Sequence, residues 1–98
     1  RMSGSLVVDA GAARALTEHN RSLLPVGVVE VRGGFDEGDV VEIIHQDTGE
    51  RIAVGQVNFS SNDARRVARE RTEQFDKIFG SSEERVVMVH RDNLALTV

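Results

Sequence analysis

The residues able to do chemistry are few and dispersed. His19, His45 and His90 fall at a helix end and at two strand ends, with no pair at ligand spacing. A zinc site needs three or four converging ligands, so no metal site is expected. The absence of cysteine removes disulfides, thiolate ligands and cysteine nucleophiles together. Ser22, His90 and Asp92 supply the residue types of a nucleophilic triad, but no strained nucleophile turn or oxyanion loop accompanies them. Asp9, Asp36, Asp39 and Asp92 all fall at caps or turns, where a carboxylate satisfies backbone N–H groups. No catalytic residue is therefore expected in this chain. Gly27, Gly33, Gly34 and Gly38 match neither a phosphate loop nor a dinucleotide fingerprint, each of which must open a helix. They read as turn glycines, and no cofactor-binding residue is expected.

Arg65-Arg66-Val67-Ala68-Arg69-Glu70-Arg71 is the one basic cluster, and helical spacing puts Arg65 and Arg69 on one face. A solvated helix face is the default reading, and a phosphate-contacting patch is the alternative. The overall balance does not favour the second: twelve basic and sixteen acidic residues give a net charge of −4, the opposite sign to most nucleic-acid binders. Arg1 to Phe59 holds five basic and nine acidic residues, whereas Ser60 to Val98 holds seven of each. A polyanion would meet the later part more readily.

The elements that must position these groups are legible from periodicity and punctuation. Ser5 to Val8 reads as a strand, with Asp9 as the cap of a helix over Ala10 to Glu18. Ala12, Ala15 and Leu16 form its buried stripe, and Asn20 takes the left-handed conformation that ends it. Leu24-Pro25-Val26-Gly27 is a turn, followed by strands over Val28 to Arg32, Val40 to His45 and Ile52 to Phe59. Gly33-Gly34 with Phe35 to Asp39, and Asp47-Thr48-Gly49, make the intervening turns. Ile52, Val54, Val57 and Phe59 are expected to face the core. Ser60-Ser61-Asn62-Asp63 opens a second helix whose stripe is Ala64, Val67, Ala68, Phe75, Ile78 and Phe79, ended by Gly80. Val86 to His90 and Leu94 to Val98 read as two last strands about a tight turn at Arg91-Asp92-Asn93.

With 98 residues the chain fits one domain. Its element order lacks the strict alternation of a doubly wound sheet, so the expected class is α+β, mostly β, as a small mixed pseudo-barrel with two helical segments. Closure of that barrel would remove exposed sheet edges. Arg1 to Gly4 are expected to be linker or cloning residue, with the domain over 5–98. No apolar run approaches the roughly 20 residues that cross a bilayer and no signal peptide is evident, so a cytoplasmic location without membrane partners is expected.

Several stretches resemble a known family. Val8-Asp9-Ala10-Gly11-Ala12, Leu23 to Val28 and Phe35-Asp36-Glu37-Gly38-Asp39-Val40-Val41 resemble the PUA domain, a small pseudo-barrel attached to many RNA-modifying enzymes. Ser22-Leu23-Leu24-Pro25, Val57-Asn58-Phe59-Ser60-Ser61 and Val89-His90-Arg91-Asp92-Asn93-Leu94 are more specifically similar to the C-terminal PUA domain of bacterial glutamate 5-kinase. That resemblance implies an accessory or regulatory piece of an enzyme that phosphorylates the γ-carboxylate of glutamate, opening proline synthesis under feedback inhibition by proline. It implies that ATP and Mg bind a separate amino-acid-kinase domain, which is the expected partner, and that the parent enzyme is a homo-oligomer. The alternative implied function is RNA binding, whose contacts in PUA domains map here onto Gly11, Ala12, Arg14 and Arg91. The sequence departs from the kinase pattern at Arg69, where a glycine is usual, so that the second helix is expected to run on unbroken. Thr72 replaces a usual serine cap, and Phe59 replaces a frequent tyrosine.

Overall fold

A computed structural model of the chain describes residues 2–70 and 86–98. Strand β1 (Gly4–Val8) leads directly into helix α1 (Ala10–His19). The junction is set by Asp9, whose extended backbone and side-chain acceptance from the Ala12 N–H make it the N-cap. Asn20, at φ 52°, closes the helix, and its N–H returns to the Ala15 carbonyl. A single 3₁₀ turn over Pro25–Gly27 follows, closed by Gly27 N–H to Leu24 O at 3.1 Å. Then come β2 (Val28–Gly33), β3 (Val40–His45) and β4 (Arg51–Gln56). Positive φ at Gly38 and Gly49 lets the two connecting turns fold back tightly. The remaining described elements are α2 (Ser61–Val67), a 3₁₀ turn at Arg91–Asn93 and β5 (Leu94–Leu96).

The strands form one mixed sheet in the order β2-β1-β3-β4-β5. Strands β1 and β3 are parallel, and the other neighbours are antiparallel. This is the expected α+β class. Leu6, Val8, Val28, Val41, Ile43, Ala53 and Val57 bury their side chains together with Ala13 and Leu16 of α1 and Ala64 and Val67 of α2. Each fully buried Val or Leu contributes about 1.5–3 kcal/mol of transfer free energy. The helix reaches the core because Gly27 has no side chain: a Cβ there would stand 2.5 Å from the Ala12 Cβ. On α1 the buried positions are Ala13 and Leu16, with Ala12 and Ala15 at the margin rather than in the core.

Several expectations are corrected. Strand β4 ends at Gln56, not Phe59, and an irregularity at Ile43/Ile44 puts an extra residue into β4. Both Ile52 and Ala53 are consequently buried, the alternation restarts on Gly55 and Val57, and Val54 turns partly outward. Val86 to His90 is not a strand. Only Val89 pairs, in an isolated bridge with Leu23, and Met88 N–H reaches Leu23 O at 2.8 Å. That bridge ties the loop after α1 to the segment before β5. Among the described residues, β2 and β5 remain sheet edges, so strand pairing does not close the ring.

The second helix does not run on through Arg69. It stops at Val67, and Arg69 sits in the left-handed region at φ 69°. A glycine takes that conformation freely, whereas a side chain there costs about 1–2 kcal/mol. The stripe expected at Phe75, Ile78 and Phe79, with Gly80 as terminator, and Thr72 lie outside the described residues. Phe59 packs half-buried against the core.

Candidate functional site

The N-terminus of α1 is an occupied site. Asp9 Oδ1 accepts from Ala12 N–H at 2.8 Å, while Asp9 Oδ2 accepts from the Arg69 guanidinium at 2.6 Å. The same Arg69 Nη1 donates to Val26 O at 2.8 Å, and Arg69 N–H donates to Pro25 O at 2.7 Å. Burial pushes the Asp9 carboxyl up. The Ala12 N–H, the Arg69 guanidinium and the Gly11 N–H outweigh it and hold the group below its ordinary value. The N–H groups that would receive a phosphate at a helix start thus already face a carboxylate of the chain itself.

The expected RNA contacts line three adjoining concavities rather than one. Gly11 and Arg14 border an open cavity of about 520 Å³ that also meets Glu18, His45 and Glu50. Arg14 pairs there with Glu18 at 3.8 Å, so carboxylates flank it. Ala12 lies instead on a groove of about 380 Å³ with Asp9, Ala15, Leu24 and Val26. Gly11 touches both spaces.

Arg91 belongs to a third space. It opens the 3₁₀ turn before β5, and its N–H donates to Ser22 Oγ at 2.8 Å. The adjoining cavity, about 430 Å³, is lined by His19, Arg21, Ser22, Leu24, His90 and Arg91. Sequence reasoning missed His19 and Arg21 as partners of Arg91. The signal was indirect: the left-handed Asn20 ends α1 between His19 and Arg21, and the Leu23–Val89 bridge with the Arg91–Ser22 hydrogen bond brings the Arg91 turn beside them. Among the described residues, no group of three or more His, Cys, Asp or Glu side chains is placed to hold a metal ion.

The basic cluster is taken apart by the end of α2. Arg65 Nη2 donates to Gly33 O at 2.8 Å, Arg66 pairs with Asp63 at 3.6 Å, and Arg69 turns back to Asp9. Arg65 and Arg69 therefore do not share a helix face. Among the described residues no helix is long and apolar enough to cross a membrane.

Comparison with known proteins agrees with this architecture. The PUA domain family model matches residues 4–79. The glutamate 5-kinase of Psychrobacter cryohalolentis is 84% identical over 98 residues, which is 100% of this chain and 25% of that protein. The glutamate 5-kinase of Bordetella petrii is 46% identical over 96 residues, 98% of this chain and again 25% of that protein. The chain thus spans about a quarter of the length of the curated relatives it matches. A crystal structure of a PUA domain from Aeropyrum pernix K1, in complex with tartrate, superposes with a TM-score of 0.68 at 31% identity, covering 89% of this chain and 41% of that one. With the mixed sheet, the capped first helix and a family match over most of its length, this chain belongs to the PUA domain family.

Proposed function

We propose that the chain is the accessory PUA domain of a glutamate 5-kinase and acts through protein contacts, conditioning the assembly of that enzyme or its response to proline. The observation that carries this reading is the match of the whole chain, at 84% identity, to one quarter of glutamate 5-kinase. In this reading the chain contributes no catalytic group. ATP and Mg bind the separate kinase domain, which is its partner within a cytoplasmic homo-oligomer.

The geometry supports a protein-contacting role over RNA binding as the second reading. Affinity for nucleic acid rests on cations free to neutralise phosphates. Here Arg14, Arg66 and Arg69 are paired with carboxylates and Arg65 is bonded to a backbone carbonyl, which leaves Arg21 and Arg91 as the described arginines without such a partner, two cations in a chain of net charge −4. Fluorescence anisotropy with labelled structured RNA, transfer RNA included, over a salt series separates the two. No saturable binding is expected at low salt. Saturable binding that falls linearly in log salt would overturn the reading in favour of RNA.

A further inference from the structure

The described arginines divide into two groups. Arg14, Arg32, Arg51, Arg66 and Arg69 each pair with a carboxylate, and Arg65 donates to Gly33 O. Arg21 and Arg91 alone among the described arginines have no ion pair or side-chain hydrogen bond to a described residue. They are separated widely in sequence, yet both line the same cavity of about 430 Å³, within the roughly 300–1,000 Å³ of small-ligand pockets.

The rest of the lining has the same character. The Ser22 hydroxyl oxygen accepts from Arg91 N–H, which leaves its own hydrogen to donate. His90 Nδ1 accepts from Asp92 N–H at 3.1 Å, so a neutral His90 carries its hydrogen on Nε2. Asp92 Oδ2 stands 3.6 Å from His90 Nδ1, beyond hydrogen-bond reach, and its side chain is 79% exposed. Among the described residues, neither Asp92 nor any other carboxylate is part of the cavity wall. In a chain of net charge −4, two guanidiniums without a partner among the described residues, two imidazoles and a hydroxyl line one concavity, a set rich in hydrogen-bond donors.

We propose that this cavity binds a small organic or inorganic anion bearing carboxylate or phosphate groups. Among the described residues the wall holds no carboxylate to receive an ammonium, so the lining favours a simple anion over an amino acid such as proline. The site is independent of the accessory-domain reading, because it rests on residues of this chain alone.

The test is ¹⁵N–¹H correlation NMR of the full chain, titrated separately with inorganic phosphate and with succinate at constant ionic strength. Saturable shifts at His19, Arg21, Ser22 and Arg91 are expected. Saturation by phosphate alone assigns a phosphoryl ligand, by succinate alone a dicarboxylate, and either outcome supports the site. R21Q and R91Q should each weaken binding about tenfold, the loss of one charge-assisted hydrogen bond. Both residues are exposed, and dispersed variant spectra report the intact fold. Shifts that never saturate, or that survive in the double variant, would overturn the proposal. So would shifts at these amides with structured RNA but with neither small anion.

Discussion

Asp9 and Arg69 are 60 residues apart in sequence, and the Arg69 guanidinium donates to Asp9 Oδ2 at 2.6 Å. The contact joins the cap of α1 to the left-handed residue just past the end of α2, and the same guanidinium holds the Val26 carbonyl of the intervening turn. Three segments that a helix dipole or a turn alone would leave separate are thereby fixed at one point. The backbone strain of a left-handed arginine is opposed by these bonds, a balance that a glycine would not need.

That balance gives a comparison between two variants. Arg69→Ala loses the pair but keeps the left-handed conformation, so a loss of about 0.5–1 kcal/mol is expected for this part-exposed contact. Arg69→Gly loses the same bonds and relieves the strain, and should be more stable than Arg69→Ala by about 1 kcal/mol. Urea denaturation of both variants reads the difference. Equal midpoints would show that φ at this position carries no strain.

Acid dependence follows from the direction of the Asp9 shift. Its carboxyl is held below the ordinary 3.8 in the fold. The stabilisation is fully present above that value and is lost as pH falls through the lower folded one. The stability gap between the wild type and Arg69→Gln should be constant near neutrality and shrink below about pH 4. Denaturation midpoints measured across that range test this, and a gap undiminished in acid would exclude the ion pair as its source.

Much of the frame was legible in the sequence because it is set locally. Asp9, Asn20, Pro25, Gly38 and Gly49 each impose a cap or a turn by their own backbone or side-chain chemistry, and each does so where expected. What was not legible depends on partners. Val86 to His90 has a strand's composition but pairs only through Val89. The extra residue in β4 that buries both Ile52 and Ala53 leaves no mark in composition. Arg69 looked like a helix former, although the usual glycine at that position already signalled a left-handed residue. Of the candidate contacts, Gly11, Ala12 and Arg14 lie on α1, and Arg91 lines a neighbouring concavity that shares Arg21, Ser22 and Leu24 with the groove of Gly11 and Ala12.

The approach of α1 to the sheet should tolerate no side chain at Gly27. A Cβ there would come 2.5 Å from the Ala12 Cβ, closer than carbon atoms pack, so Gly27→Ala must displace the helix. A loss of about 1–3 kcal/mol is expected, read from the urea midpoint. Gly34→Ala is a control, since a Cβ at Gly34 meets nothing within 4 Å. A comparable loss in both variants would point to backbone flexibility rather than helix packing.

The most direct measurement is on a glutamate 5-kinase carrying this domain, compared with the same enzyme from which the domain is deleted. Glutamate phosphorylation, inhibition by proline and oligomeric state would be followed side by side. Retained phosphorylation with altered proline inhibition or altered assembly is the predicted result. An enzyme identical in all three without the domain, or one whose deletion abolishes chemistry while assembly and proline binding stay intact, would contradict the account.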